Sequence, residues 1–209
     1  MKKNRALLMA FVAILIVGVV SCGKDENTSG NGENNGGGGD TTSEWVDLGL
    51  PSGLLWAKNN LGATAPEDYG NYYAWCDTVK KEVYDQSTYT NANVDVATAI
   101  LGNDARTPTK EEWEELMANT TAEWVTMNGV SGRKFTAANG NSLFLPAAGL
   151  RYGSQLYSEG TGGTYWSSSP SSEMGPDYAW RFDFNENRQR VYYGERTYGQ
   201  SVRPVHSAQ

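Results

Sequence analysis

The distribution of apolar and polar residues divides the chain into three parts. Residues 6–20 form an almost unbroken apolar run, which is too short to span a bilayer comfortably as a helix. Residues 23–43 are rich in Gly, Asn, Thr, Asp and Glu and contain no aliphatic or aromatic residue. From Trp45 onward, short apolar runs alternate with polar turns. The pattern predicts an export segment over 1–21, a polar tether over 22–43 and one folded domain over 44–209.

Short strands are predicted along the domain, joined by turns rich in Gly, Pro, Asn and Ser. They cover residues 45–50, 54–57, 133–136, 142–145, 178–185, 189–193 and 201–205. Asn139-Gly140 is a strong hairpin signal. Within 178–185, Tyr, Trp and Phe alternate with Ala, Arg, Asp and Asn, which is the period of a half-buried strand.

Two helices are predicted in the first half of the domain. Residues 95–101 carry a short helical pattern that Gly102-Asn103 ends. Residues 109–112 (Thr-Lys-Glu-Glu) form a capping box, and the apolar residues at 113, 116 and 117 then share one helix face. Few helices and many short strands predict an α+β domain with a mainly antiparallel sheet.

Charge and cysteine content narrow the possible classes of function. Residues 1–21 hold three of the 17 basic residues and none of the 24 acidic ones, so 14 basic and 24 acidic residues follow, a net charge of -10. A chain this acidic lacks the excess of basic residues that is typical of nucleic-acid-binding proteins, and anionic lipid should repel it. Cys76 is the only thiol besides Cys22, so no intrachain disulfide is expected in the domain.

Cys22 marks the end of the export segment. Three basic residues precede the apolar run and Val-Val-Ser-Cys ends it at 19–22, an arrangement typical of a secretory signal. The Cys resembles the lipobox of bacterial lipoproteins, which implies that Cys22 is acylated and anchors the protein without crossing the membrane. Residues 24–26 (Lys-Asp-Glu) resemble a signal for display on the outer leaflet of the outer membrane. The alternative is a plain signal peptide whose Cys falls there by chance.

Residues 22–43 are too polar to offset the entropy of ordering, so they predict a disordered tether. About twenty such residues reach roughly 25 Å, enough to lift a domain clear of the lipid headgroups. Thr41 and Thr78 each follow an Asp in a tripeptide that looks like an acceptor for bacterial O-glycosylation. The alternative is that Thr41 and Thr78 are ordinary loop residues, and the sequence alone does not distinguish the two.

Six segments in order resemble a known family. They are WVDLGLPSGLLWA (45–57), EDYGNYYAW (67–75), RTPTKEEWEEL (106–116), LPAAGLR (145–151), YWSSS (165–169) and GQSVRPV (199–205). Together they resemble the Fibrobacter succinogenes major paralogous (FISUMP) domain, which occurs in many exported lipoproteins. The resemblance covers nearly all of 45–205.

The resemblance implies a C-type-lectin-like fold related to the formylglycine-generating enzyme and to the variable proteins of diversity-generating retroelements. In those variable proteins, side chains of the C-terminal segment form an exposed binding surface, and the matching stretch here is 166–205. The formylglycine-generating enzyme relies on a copper-binding cysteine pair. With Cys76 alone in the domain, that copper site cannot be built.

A surplus of tyrosines beside small polar residues points to binding, because Tyr gives a large contact area at low entropic cost. The candidate ligand-binding residues are Tyr152, Tyr157, Asp177, Asn185, Asn187, Gln189, Tyr192, Tyr193, Arg196 and Tyr198. The alternative is that these tyrosines pack against neighbouring strands.

No metal site and no catalytic site is expected in the domain. The oxygen-bearing side chains at 177, 183 and 185–187 lack the spacing of a calcium loop, and the only histidine, His206, lies near the C-terminus. We therefore expect no metal, cofactor or catalysis. Arg203, in an apolar stretch, is expected to find a partner inside the fold.

The expected function is that of a cell-surface lipoprotein that binds an extracellular glycan or protein, as in adhesion. Its attachment to the membrane is expected to be by lipid alone, with no nucleic acid partner. The alternatives are a structural subunit of a surface assembly and a cryptic hydrolase built on two carboxylates.

Overall fold

The computed structural model describes residues 44–102 and 104–208. The predicted export segment, Cys22 and tether lie outside these residues. The strands are β1 (Trp45–Asp47), β2 (Leu54–Ala57), β3 (Ala105–Arg106), β4 (Thr120–Met127), β5 (Val130–Ala137), β6 (Ser142–Pro146), β7 (Leu150–Tyr152), β8 (Gln155–Tyr157), β9 (Gly162–Pro170), β10 (Tyr178–Asn185), β11 (Gln189–Glu195) and β12 (Val205–Ser207). The helices are α1 (Val96–Leu101) and α2 (Lys110–Asn119).

Over the described residues the strands form four small antiparallel sheets. Their orders are β1-β2-β12-β3, β11-β10-β9, β4-β5-β6 and β7-β8. Strand β12 pairs with both β2 and β3, so the end of the domain is joined to its beginning. Short antiparallel strands with two helices confirm the α+β prediction.

The capping box predicted for α2 is present. Thr109 Oγ1 accepts a hydrogen bond from the Glu112 backbone, and Glu112 accepts one from the Thr109 backbone. Trp113 and Leu116 are fully buried in the main core, where the Trp113 ring stacks on Phe182 with centroids 4.9 Å apart. The helix thereby fixes the sheet β9–β11 from one side.

Strand β10 departs from simple alternation. Phe182 and Phe184 lie in the main core, as their position in the pattern indicates. The register against β9 then shifts between Ala179 and Arg181, which is the mark of a β-bulge. Beyond it, Ala179 is buried in a second core and Trp180 stays half-buried.

Five strands were not predicted and a sixth is displaced. Strands β3, β7, β8 and β9 fall in segments to which no strand was assigned. Strand β4, at Thr120–Met127, was not predicted, and it pairs along its whole length with β5. The last strand is Val205–Ser207 and not 201–205. The side chains of Ser201, Val202 and Arg203 are buried instead within the fold, so this segment passes through the interior before it joins β2.

No helix among the described residues is long and apolar enough to cross a membrane.

Candidate functional site

Four half-buried aromatic rings group on β10 and β11. Tyr192 and Tyr193 stack with centroids 4.1 Å apart and their hydroxyl oxygens at 3.0 Å. Tyr193 also meets Tyr178 edge-on at 6.1 Å and Trp180 edge-on at 6.2 Å. We call these four residues the aromatic surface. Each ring keeps part of its area in water, so the group is both preformed and accessible.

Two cations flank the aromatic surface. The Arg190 guanidinium lies 3.9 Å from the centre of the Tyr192 ring, and Lys110 Nζ lies 4.0 Å from that of Trp180. Arg190 is also held by Asp183, with Nε 2.9 Å from Oδ1. The rings are therefore fixed by cation–π contacts and present both π faces and hydrogen-bond donors.

A second tyrosine pair lies on the β7–β8 side. Tyr152, at 49% exposure, meets Tyr198 edge-on at 5.1 Å. Tyr157 is 43% exposed and its hydroxyl donates to Gln155 Oε1 at 2.7 Å. Tyr152 and Tyr157 lie on a short hairpin and Tyr198 follows β11, whereas the aromatic surface is built on longer strands.

A pocket of about 390 Å³ lies between the β7–β8 hairpin and the β9–β10 strands. Its lining comprises Gly149, Leu150, Ser158, Thr161 to Thr164, Arg181, Asp183 to Asn185 and Arg188. Gly149, with φ of +67°, has no room for a Cβ, which would lie 2.1 Å from the Tyr157 carbonyl oxygen. The pocket touches the aromatic surface through Arg181, because Arg181 is the cross-strand partner of Tyr192.

Several predicted binding residues make contacts within the protein that hold neighbouring segments in place. The Asn185 carboxamide accepts from the Asn187 and Arg188 amides at 2.9 and 3.0 Å and so closes the β10–β11 turn. Gln189 Oε1 accepts from Arg133 at 3.3 Å. Arg196 lies 4.1 Å from the Trp75 ring and donates to the Tyr178 carbonyl at 3.0 Å.

The remaining predicted residues are spread over the same end of the chain. Asp177 and Asn187 are exposed, and the Asp177 carbonyl accepts from the Arg196 amide. The structure thus brings Tyr192 and Tyr193 together, and Tyr152 with Tyr198, while it does not gather all ten residues at one point. Sequence reasoning missed Tyr178, Trp180, Arg181 and Arg188. The alternating pattern in 178–185 drew attention to Tyr178, Trp180 and Arg181. It predicted only a strand there and no role in ligand binding.

A second cavity, of about 490 Å³, lies where the chain enters the domain. Trp45 and His206, whose rings meet edge-on at 4.3 Å, line it together with Asn59 and Asp104. No three His, Cys, Asp or Glu side chains gather as a metal site in 44–102 and 104–208.

A family model described as a domain of unknown function (DUF8237) matches residues 119–205. The matched segment includes the aromatic surface, the 390 Å³ pocket and all ten predicted binding residues. Searches of curated proteins and of solved structures gave no match.

Proposed function

We propose that this protein binds an extracellular glycan or protein, without chemistry, from a lipid anchor at the outer membrane. The observation that carries the proposal is the aromatic surface, in which four contacting rings are preformed and remain half-exposed. Rings fixed before binding lose little entropy when a ligand arrives. Stacked tyrosines with adjacent cations suit a sugar face or a protein epitope.

The scaffold supports this role because the aromatic surface lies on paired strands. Strand β11 lies at the edge of its sheet, so Tyr192 and Tyr193 stand beside open solvent. Helix α2 packs behind the same sheet through the Trp113–Phe182 stack. We infer that the resemblance to the FISUMP domain and to C-type-lectin-like variable proteins reflects this use of the C-terminal segment.

The binding test uses the full-length protein in detergent on glycan and protein arrays. Tyr192→Ala and Tyr193→Ala should each abolish an array signal while the circular dichroism spectrum stays unchanged. Tyr157→Ala is the comparison variant, since it removes an exposed tyrosine of the hairpin that lies outside the aromatic surface. A signal that survives both surface substitutions and falls with Tyr157→Ala would place the site on the hairpin.

The membrane anchor is tested separately on intact cells. Cys22→Ser should abolish labelling by a radioactive fatty acid, and replacing residues 24–26 by alanine should protect the domain from external protease. Unchanged cleavage after the second change would show that these residues are not the display signal. Loss of fatty-acid labelling in the alanine variant would instead point to faulty processing.

A further inference from the structure

Arg181 is a largely buried cation in the wall of the 390 Å³ pocket. It lines the pocket, yet its Nε and Nη1 atoms are hidden from solvent and have no hydrogen-bond partner among the described residues. Its side chain lies against Gly194, where an added Cβ would come within 3.0 Å of Nη1. Close packing therefore holds the guanidinium in place. A buried cation without a partner costs free energy, so its retention calls for a ligand.

The one acidic side chain in the pocket lining forms no ion pair with Arg181. Asp183 lines the same pocket, but Arg190 Nε lies 2.9 Å from its Oδ1 and Arg188 Nη2 3.8 Å from its Oδ2. Arg188 and Arg190 thus occupy this carboxylate, and Arg181 forms no ion pair with it. Burial lowers the pKa of Arg181, and the charge of Asp183 offsets this effect only in part.

The local positive charge stands out against the rest of the molecule. The whole chain has a formal net charge of -7, so a cluster of three arginines with one aspartate is contrary to the overall balance. Focusing of field lines in a concave site raises the local concentration of an oppositely charged ligand. The charge pattern therefore selects an anion.

The other walls of the pocket are suited to a sugar ring. Ser158 and Thr161 place hydroxyl-bearing side chains at an exposed rim, and Asn185 adds an amide. The volume is at the lower end of small-molecule sites, about 300–1,000 Å³. A small polar ring carrying one acidic group matches both the size and the charge.

We infer that this pocket binds the anionic group of an acidic saccharide, a carboxylate or a sulfate ester, on Arg181 and Arg188. The inference rests on the proposed binding function and specifies its ligand class. Arg181 supplies a fixed positive charge at the inner wall, whereas the exposed Arg188 reaches the ligand from the β10–β11 turn. The aromatic surface next to the pocket receives the neighbouring sugar of a chain.

The test is calorimetry with sodium glucuronate, glucose 6-sulfate and glucose on the full-length protein in detergent. We expect at least one of the two acids to bind about tenfold more tightly than glucose, because hydrogen bonds to charged groups are the stronger ones. The preferred acid identifies the anionic group. Equal affinity for all three sugars, or no binding by either acid, would overturn the inference.

Three substitutions locate the binding. Arg181→Met should reduce the affinity for the preferred acid about tenfold or more, and Arg188→Gln should reduce it a few-fold. Lys80→Gln is the matched control, since it removes one exposed cation outside the pocket lining. Unchanged affinity in Arg181→Met would overturn the inference. Arg181→Met also removes a buried charge without a partner, so its urea midpoint should not fall.

Failure of this inference and failure of the proposed function give different results. If the acids do not bind but an array ligand still depends on Tyr192 and Tyr193, only the acidic ligand class is wrong. If the acids bind through Arg181 and no array signal depends on either tyrosine, the pocket is a ligand site and the role of the aromatic surface is wrong.

Discussion

Arg203 donates its Nε hydrogen to Asn60 Oδ1 at 2.9 Å, and both residues are buried. The guanidinium also donates to the carbonyls of Ala57, Lys58 and Phe144. Asn60 in turn donates to the Tyr165 hydroxyl at 3.2 Å. One side chain near the C-terminus therefore joins the loop after β2 to β6, which is the internal partner set expected for an arginine in an apolar stretch.

Arg203→Ala should lower the free energy of unfolding by about 3–5 kcal/mol, because it leaves buried acceptors without donors. Urea denaturation monitored by Trp fluorescence measures the change. Arg203→Lys is the informative control, since it keeps the charge but cannot reach all four acceptors and should recover only part of the loss. A variant as stable as the wild type that no longer binds ligand would contradict this structural role.

Signals that depend only on local chemistry predicted individual elements well. The capping box at Thr109 and Glu112 and the hairpin at Asn139-Gly140 need only a few adjacent residues, and both formed as expected. Strand β4 was missed because its burial alternates only weakly between exposed and half-buried positions. The segment 201–205 was assigned to a strand because it is apolar, although its backbone enters strand β12 only at Val205.

The candidate site was less predictable, since it depends on pairing across strands. The residues near Arg181 in the sequence do not show that Asp183 forms ion pairs with Arg190 and Arg188. The bulge before Arg181 also changes the face that Trp180 shares with its neighbours. Tyrosines could be singled out by type, but whether a ring stacks on another ring depends on twist and register.

Alkaline pH should destabilise the domain through its buried tyrosines. Burial raises the pKa of Tyr165 to about 12 from 10. Its contribution is therefore fully present below pH 10 and is lost as the pH rises through 12. Arg203, whose pKa burial lowers to about 10, acts in the opposite direction. Tyr72 and Tyr89 are shifted upward like Tyr165, so the net effect should be a loss of stability.

The measurement is the urea midpoint between pH 9 and 12, compared with the ultraviolet absorbance of tyrosinate. Tyr165→Phe should lose about 1–2 kcal/mol at pH 8, since Tyr165 donates to the Pro146 carbonyl at 2.7 Å. The same variant should show a shallower alkaline loss than the wild type. An identical slope in both proteins would show that another group controls the alkaline transition.

Cys76 should react slowly in the folded protein. Its side chain is packed against the second core, and burial raises the pKa of the thiol to about 11 from 9. At pH 8 the thiolate fraction is then about 100-fold lower than in the unfolded chain. The rate with a disulfide reagent, before and after urea, measures this in a Cys22→Ser variant that leaves one thiol. Equal rates in both states would mean that the thiol is accessible and unshifted.

The start of α2 should control both stability and the position of Lys110. Thr109→Ala removes the acceptor for the Glu112 amide and should cost about 1 kcal/mol in urea unfolding. Thr109→Ser keeps that acceptor and should change little.

Because Lys110 follows Thr109 and lies over Trp180, loosening this turn should also increase the exposure of the Trp180 ring to water. Acrylamide quenching should therefore rise in Thr109→Ala relative to Thr109→Ser under native conditions. Equal quenching in the two variants, with the expected stability difference, would show that strand packing holds Trp180 without the lysine.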